Sequence, residues 1–246
     1  MPNCGVLGSE TWSLGLKTIF EVFRKYYISL IKIFAKIFFS KQYSTVISYP
    51  ITSSTQFGYK KNHSTELLLL KFINGVLVGI DSRKGVVVLL IDLSAAFDTV
   101  DHNKLLNILF SELKITGVAL KWFKSFLTNR TQRVKAGDSL SETIELHYGV
   151  PQGSVLGPVL FNIYINSLAN VFLTNGFRTL SYADDNSGYQ YFSLSTEDDM
   201  FNHTIPSFID SLKIWMDNYF LKINEGKTKI IVFGRPHFIQ TVVIQM

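Results

Sequence analysis

The clearest pattern in the chain is an uninterrupted apolar run at residues 86–91, which follows Gly85 and ends at Asp92. The run is too short for a separate helix, and its first three residues are β-branched valines. A run of this kind is typical of a central strand that is buried on both faces of a sheet. The sequence therefore predicts that Asp92 lies at the end of a buried strand.

Helical spacing of apolar residues predicts helices along the rest of the chain. The predicted ranges are 26–39, 64–78, 105–113, 118–127, 155–171 and 205–218. The range 26–39 is basic and one-sided, whereas the helix at 64–78 begins at Ser64 and carries a broad leucine face. We expect this leucine-rich helix to lie deep in the fold.

Shorter apolar runs between turn residues predict further strands. They cover residues 132–136, 143–148, 177–183, 187–192, 220–223 and 229–233. The runs at 177–183 and 187–192 predict a hairpin with Asp184 and Asp185 at its tip. Strands and helices interleaved in this way favour an α+β fold, in which a sheet is covered by helices on one face.

The composition limits the classes of protein that fit. The chain has 246 residues, of which 47% are hydrophobic, and this is enough for a substantial core. No window reaches the roughly 18 uncharged apolar residues of a membrane span, and residues 1–25 lack the pattern of a secretion signal. The single cysteine, Cys4, excludes an internal disulfide framework and a Cys-rich zinc site. We expect an intracellular protein, nuclear or cytoplasmic, without a membrane partner, and the net charge of +5 is compatible with a polyanionic one.

Three carboxylates are the first candidates for chemistry. If the hairpin tip pairs beside the buried strand, then Asp92, Asp184 and Asp185 meet without a lysine or arginine next to them in sequence. Such a cluster is costly unless divalent cations bind, and oxygen ligands favour Mg²⁺ or Mn²⁺. Two ions would suit phosphoryl transfer. The alternative is a solvated turn, because Asp is a favoured turn residue.

Three motifs, in this order and spacing, resemble those of the reverse transcriptases, most closely those of non-LTR retrotransposons of the jockey-like kind. They are Ile-Asp-Leu-Ser-Ala-Ala-Phe-Asp at 91–98, Gly-Val-Pro-Gln-Gly-Ser-Val-Leu-Gly-Pro at 149–158 and Tyr-Ala-Asp-Asp at 182–185. Further segments agree at 56–65, 129–134 and 221–229, so the similarity runs from about residue 28 to residue 234.

The resemblance implies a polymerase fold of fingers and palm, with an antiparallel palm sheet backed by helices and a thumb that is truncated or absent. In this organisation residues 1–25 have no clear assignment, 26–84 are partial fingers, 85–234 are the palm with inserted fingers elements, and 235–246 are a C-terminal tail.

The resemblance also implies roles for matched residues. Asp92, Asp184 and Asp185 would be catalytic and would hold two Mg²⁺ or Mn²⁺ ions. The implied nucleotide-binding residues are Leu93, Phe97, Pro151, Gln152 and Lys60, and the implied nucleic-acid-binding residues include Gly153 and Tyr182. Phe97 would clash with a ribose 2′-OH and so favour deoxynucleotides, the alternative being a core phenylalanine.

Basic residues add two candidates. Lys227 or Lys229 could protonate the departing pyrophosphate, although either could be a solvated surface lysine. Five cations fall within fifteen residues, with no acid among them: Lys121, Lys124, Arg130, Arg133 and Lys135. This stretch suits phosphate contacts on a template or primer, and the alternative is a solvated face.

The function that follows is an RNA-directed DNA polymerase, with an RNA template, a DNA primer and deoxynucleoside triphosphates as partners. Two alternatives stay open, a catalytically inactive nucleic-acid-binding remnant and a structural or oligomerising domain. The three aspartates favour the enzyme. The pair Tyr26-Tyr27, which stands where the family has Arg-Pro, favours the remnant, because a neutral ring cannot replace a guanidinium on phosphate.

Overall fold

The computed structural model describes residues 52–154 and 156–234, all of which lie in one compact unit, Pro50–Met246. The predicted basic helix at 26–39 and the pair Tyr26-Tyr27 lie outside the described residues. No helix within the described ranges is long and apolar enough to cross a membrane.

The elements follow one another in chain order. The helices are α1 (Thr65–Asp81), α2 (His102–Ser111), α3 (Gly117–Leu127), α4 (Gly157–Tyr164), α5 (Leu168–Thr174) and α6 (Ile205–Tyr219). The strands are β1 (Gly85–Ile91), β2 (Arg130–Gln132), β3 (Lys135–Ala136), β4 (Ser139–Leu140), β5 (Ile144–Leu146), β6 (Arg178–Tyr182), β7 (Asp185–Phe192) and β8 (Lys229–Phe233). A 3₁₀ turn (Leu194–Thr196), a helical turn (Glu197–Asp199) and a π-helical turn (Met200–Thr204) lead into α6.

A four-stranded sheet with the order β6–β7–β1–β8 forms the centre of the fold, and its neighbouring strands are antiparallel. Strand β1 lies between β7 and β8, and six of its seven residues are buried. The predicted central strand is therefore confirmed. The predicted hairpin is also confirmed, since β6 pairs with β7 and the chain turns at Ala183 and Asp184.

Helix α1 packs on one face of this sheet through its glycines. Gly75, Val76 and Gly79 are its buried residues, and a Cβ atom at Gly79 would collide with Val86 of β1. The leucine-rich side is turned outward, with side chains 45–67% exposed at Leu67, Leu69, Leu70, Ile73, Leu77 and Val78. The prediction of a deep helix with a buried leucine face is wrong, because the small glycine side lets the helix approach the strands more closely.

The other face of the sheet is covered by α5 and α6. Gly188 of β7 is next to the ring of Phe172 in α5, and this ring packs against Phe208 of α6 with the ring centroids 4.9 Å apart. Since α1 contacts the side chain of the neighbouring residue, Tyr189, the two helical layers lie on opposite faces. Helices cover both faces of the sheet, and the expectation of a single covered face is wrong.

Three predicted elements differ in the structure. The helix expected at 155–171 is broken between α4 and α5, where the side chain of Asn166 accepts a hydrogen bond from the main chain of Ser53 at 2.6 Å and Ser167 accepts one from Trp215 at 2.9 Å. The strands expected at 132–136 and 143–148 form two short nested pairs, β2 with β5 and β3 with β4. The break between α4 and α5 depends on partners that are distant in sequence.

Candidate active site

Two cavities flank Asp92 at the end of β1. The smaller cavity has a volume of about 290 Å³, and its walls include Asp92, Phe97, Gln152, Asp184 and Lys227. The larger cavity, of about 550 Å³, lies between α1 and the sheet, and Asp92 and Lys227 line it as well. Residues from four distant stretches of the chain thus surround one carboxylate.

The loop that follows α6 is tied to the end of β1. The main-chain N–H of Asp92 donates to the hydroxyl of Thr228 at 3.3 Å, and the carbonyl of Asp92 accepts from the N–H of Asn224 at 2.9 Å. These bonds bring Nζ of Lys227 to 4.0 Å from Oδ2 of Asp92. No lysine or arginine is adjacent to the three carboxylates in sequence, but the fold brings Lys227, one of the two candidate general acids, next to Asp92.

The hairpin tip directs its two aspartates to different cavities. Ala183 turns the chain with a φ of 54°, and Asp185 begins β7 opposite Tyr182. Asp184 lines the smaller cavity together with Asp92, whereas Asp185 and Tyr182 line the larger one. Three carboxylates therefore line the smaller cavity, those of Asp92, Asp98 and Asp184, whereas Asp185 does not line it.

The three carboxylates interact electrostatically. Burial raises the pKa of Asp185, the negative charges of Asp184 and Asp92 raise it further, and the positive charge of Lys227 opposes them. Oxygen atoms of this kind are the ligands that Mg²⁺ and Mn²⁺ prefer, so the donor chemistry fits a divalent cation. Within residues 52–154 and 156–234, however, no group of three or more His, Cys, Asp or Glu side chains is arranged to hold a metal ion. The metal site stays a prediction.

A loop and a glycine-containing turn form the floor of the smaller cavity. Nε2 of Gln152 donates to Oδ1 of Asp98 at 2.7 Å, and the carbonyl of Phe97 accepts from the N–H of Val150 at 2.9 Å. Gly149 has a φ of +86°, and a Cβ atom there would meet the main chain of Asp98, so this close approach requires glycine. The first and second motifs are thus joined by direct hydrogen bonds.

Phe97 makes a core contact and also lines the smaller cavity. Its ring stacks on the buried Phe161, with the centroids 4.0 Å apart, and it also lines the smaller cavity. The side chain is half-buried. A core contact therefore holds the ring at the cavity wall.

The other residues predicted to contact the nucleotide differ in whether they line the smaller cavity. Leu93 is buried and lines the smaller cavity, and the half-buried Pro151 accepts a hydrogen bond from Ser154 through its carbonyl. Lys60 lines neither of these two cavities; its Nζ donates to the main-chain oxygen of Ser53 at 3.4 Å. Lys229 likewise points elsewhere, toward the carbonyl of Gly226 at 3.2 Å.

The predicted nucleic-acid contacts lie outside both cavities, apart from Tyr182. Gly153 is exposed in the turn of the second motif, with a φ of +74°. Arg130 is half-buried in β2, where burial lowers the pKa of its guanidinium. The Nε of Arg133 donates to the carbonyl of Ser141 at 2.9 Å, and Lys135 is exposed in β3.

Sequence reasoning assigned no role to three residues that shape the site. Asp98 holds Gln152, and Asn224 anchors the loop that carries Lys227. Gln56 is buried next to the hairpin tip and bonds the main chain of Ala183. All three belong to segments that matched the resemblance, but their contacts join regions far apart in sequence.

Comparison with known proteins identifies related sequences. The profile of the family described as Reverse transcriptase (RNA-dependent DNA polymerase) matches residues 24–241. A probable RNA-directed DNA polymerase from transposon BS of Drosophila melanogaster is 27% identical over 210 residues, which are 81% of this chain and 22% of that protein. The RNA-directed DNA polymerase from mobile element jockey of Drosophila funebris is 28% identical over 183 residues, 72% of this chain and 19% of its own length. The chain spans about a fifth of these relatives, and the predicted resemblance to the jockey-like enzymes is confirmed.

Solved structures share the fold. A telomerase from Candida albicans, in complex with a TWJ fragment of telomeric RNA, has a TM-score of 0.62 at 13% identity and covers 92% of this chain and 38% of its own. A telomerase from Candida tropicalis, in complex with the same kind of fragment, has a TM-score of 0.55 at 16% identity and covers 78% and 32%. This likeness confirms the predicted α+β fold with an antiparallel sheet backed by helices.

Proposed function

This chain belongs to the reverse transcriptase family, and we propose that it copies RNA into DNA by adding deoxynucleotides to the 3′-OH of a primer. The observation that carries the proposal is the smaller cavity, which is lined by Asp92 and Asp184 together with Lys227 and Phe97. A cavity that is lined by carboxylates, a cation and an aromatic ring suits the binding of a nucleoside triphosphate.

The carboxylates would hold the metal. Two divalent cations at Asp92 and Asp184, with Asp185 assisting, would activate the primer hydroxyl and stabilise the departing oxygen. The pKa of Asp185 is raised mainly by burial and by the nearby negative charges. Positive charge at this place would relieve that repulsion.

Lys227 would serve as the general acid. Its side chain is 71% exposed and its Nζ lies 4.0 Å from Asp92, so it can reach a phosphate that enters the smaller cavity. It would place a proton on the pyrophosphate as that group departs. Lys229, which points toward Gly226, suits this role less.

The floor of the cavity would bind the nucleotide. Gln152, held by Asp98, would pack under the base together with the main chain of Pro151 and the buried side chain of Leu93. Phe97, held by Phe161, would exclude a ribose 2′-OH by its volume. Lys60 lines neither cavity, so its contact with the triphosphate stays a prediction.

Residues outside the cavities would hold the template and the primer. Arg133, Lys135 and Arg130 would contact phosphates of the RNA template or the DNA primer. Gly153 would lie along the primer–template duplex, and so would Tyr182, which lines the larger cavity. A catalytically inactive nucleic-acid-binding remnant is the second candidate, favoured by Tyr26-Tyr27 in place of the Arg-Pro pair of the family.

Primer extension tests the proposal. The purified chain is given oligo(dT) on poly(rA), Mg²⁺ and dTTP, beside Asp184→Asn and the control Asp210→Asn, which changes an exposed carboxylate on α6. We expect extension by the unmodified chain and the control, and a loss of at least about 100-fold in Asp184→Asn. If the unmodified chain extends nothing yet retards an RNA–DNA hybrid in a salt-dependent way, the remnant is the correct function.

A further inference from the structure

We propose that Gln56 is a positioning residue that sets the direction of Asp184 by holding the main chain of Ala183. The side-chain amide of Gln56 meets this residue twice: Oε1 accepts from the N–H of Ala183 at 2.9 Å, and Nε2 donates to its carbonyl at 3.1 Å. Gln56 is only 5% exposed. The inference rests on the proposed function of the carboxylates.

The main chain at the hairpin tip requires hydrogen-bond partners. Ala183 has a φ of 54°, a left-handed conformation that is disfavoured for a residue with a Cβ atom. Ala183 is also buried, and buried main-chain N–H and C=O groups require hydrogen-bond partners. Gln56 supplies one for each group, and the direction of the next residue, Asp184, depends on this turn.

Gln56 is itself held on both sides. The N–H of Ser181 donates to Thr55 at 2.9 Å, and the N–H of Phe57 donates to Ser181 at 2.7 Å, so the segment around Gln56 runs beside β6. The buried side chain of Asn162, in α4, donates to the carbonyl of Gly58 at 2.8 Å. Buried bonds on both flanks restrict the amide to one position, which is what a positioning residue requires.

Close packing adds a steric constraint. A Cβ atom at Gly58 would collide with the main chain of Ala183, so glycine lets the two segments touch. Oε1 of Gln56 also accepts from the N–H of Gly58 at 2.7 Å. A single amide oxygen thus joins the two segments at their contact.

The two hydrogen bonds to Ala183 require the side-chain amide of glutamine. Its amide offers an acceptor and a donor on adjacent atoms, whereas glutamate at neutral pH offers acceptors alone and methionine offers no strong partner. Gln56→Met keeps the length of the side chain and removes both bonds to Ala183. The control is Thr179→Val, which removes the partly buried bond from Thr179 to the carbonyl of Ser187 at 3.0 Å within the same hairpin, away from its tip.

Two measurements test the inference. We expect Gln56→Met to raise the Mg²⁺ concentration for half-maximal primer extension by about 10- to 100-fold, as is usual when the residue supporting a metal ligand is lost, whereas Thr179→Val leaves it unchanged. We also expect the amide proton of Ala183 to exchange faster in Gln56→Met than in the control. If Gln56→Met does not fold, Gln56→Glu, which removes the bond to the Ala183 carbonyl, takes its place.

A failure of the positioning role can be distinguished from a failure of the proposed polymerase function. Equal Mg²⁺ requirements in Gln56→Met and Thr179→Val would overturn the positioning role while leaving the polymerase intact. If the unmodified chain extends no primer, Mn²⁺ affinity measured by calorimetry replaces extension as the readout. A weaker affinity in Gln56→Met than in Thr179→Val then supports the positioning role, and equal affinities overturn it.

Discussion

The individual carboxylates of the site repel one another. Partial burial and the negative charges of Asp184 and Asp92 raise the pKa of Asp185, and the positive charge of Lys227 opposes them. Groups that serve a charged ligand are commonly unfavourable for the stability of the empty protein. The chain should therefore become more stable when one of these charges is removed.

Asp185→Asn tests this repulsion. A raised folded-state pKa means that ionised Asp185 destabilises the fold at neutral pH, and that this effect fades as pH falls through the folded-state pKa toward the ordinary value. We expect the variant to have a higher Tm than the unmodified chain at pH 7 without divalent cations, with a difference that shrinks toward pH 4. A lower Tm at pH 7 would contradict the sign of the interaction.

At the scale of elements, α1 shows how glycines decide which side of a helix faces the sheet. Gly75 and Gly79 lie one turn apart on α1. The space that a Cβ atom would need is occupied by Tyr189 at Gly75 and by Val86 at Gly79, both from the sheet. Glycine in the middle of a helix costs about 1 kcal/mol relative to alanine. In α1 this cost is offset by closer packing.

Gly79→Ala separates the two effects. Helix propensity alone would make the variant about 1 kcal/mol more stable, but the added Cβ atom would meet Val86 and Tyr191. We expect a lower free energy of unfolding in urea. The control Leu70→Ala changes a side chain that is 67% exposed on the same helix, and it should alter stability by no more than about 0.5 kcal/mol. Stabilisation by Gly79→Ala would refute the packing described for α1.

Elements with strong local signals were predictable from the sequence. The apolar run of β1 and the cap at Ser64, whose hydroxyl accepts from the N–H of Leu67, carry their information within a few residues. The break between α4 and α5 depends on Ser53 and Trp215, which no local pattern reveals. The candidate carboxylates were found from the buried strand and the hairpin tip, and the resemblance added their roles. The approach of Lys227 to Asp92 follows from hydrogen bonds that only the fold creates.

At the scale of the whole molecule, acidic side chains collect around the two cavities. Asp92, Asp98, Asp184 and Asp185 line them together with one lysine, whereas the cations of α3, β2 and β3 line neither cavity. The net charge is +5. We infer that the cations of α3, β2 and β3 hold nucleic acid at a distance from the chemistry.

Salt dependence of hybrid binding tests this division. Each phosphate contact contributes close to one unit to the slope of log affinity against log salt concentration. We expect Arg133→Ala and Lys135→Ala each to reduce that slope by about 1 on an RNA–DNA hybrid. Lys213→Ala, which changes an exposed cation on α6, should leave it unchanged. Equal slopes in all four proteins would show that the hybrid does not contact Arg133 or Lys135.

Mn²⁺ binding measured by calorimetry is the most direct test that Asp92 and Asp184 form a metal site. We expect the unmodified chain and Asp210→Asn to bind Mn²⁺ alike, and Asp92→Asn and Asp184→Asn each to weaken binding by at least about tenfold. The same affinity in all four proteins would show that these two aspartates do not hold the metal, and the proposed polymerase mechanism would then be wrong.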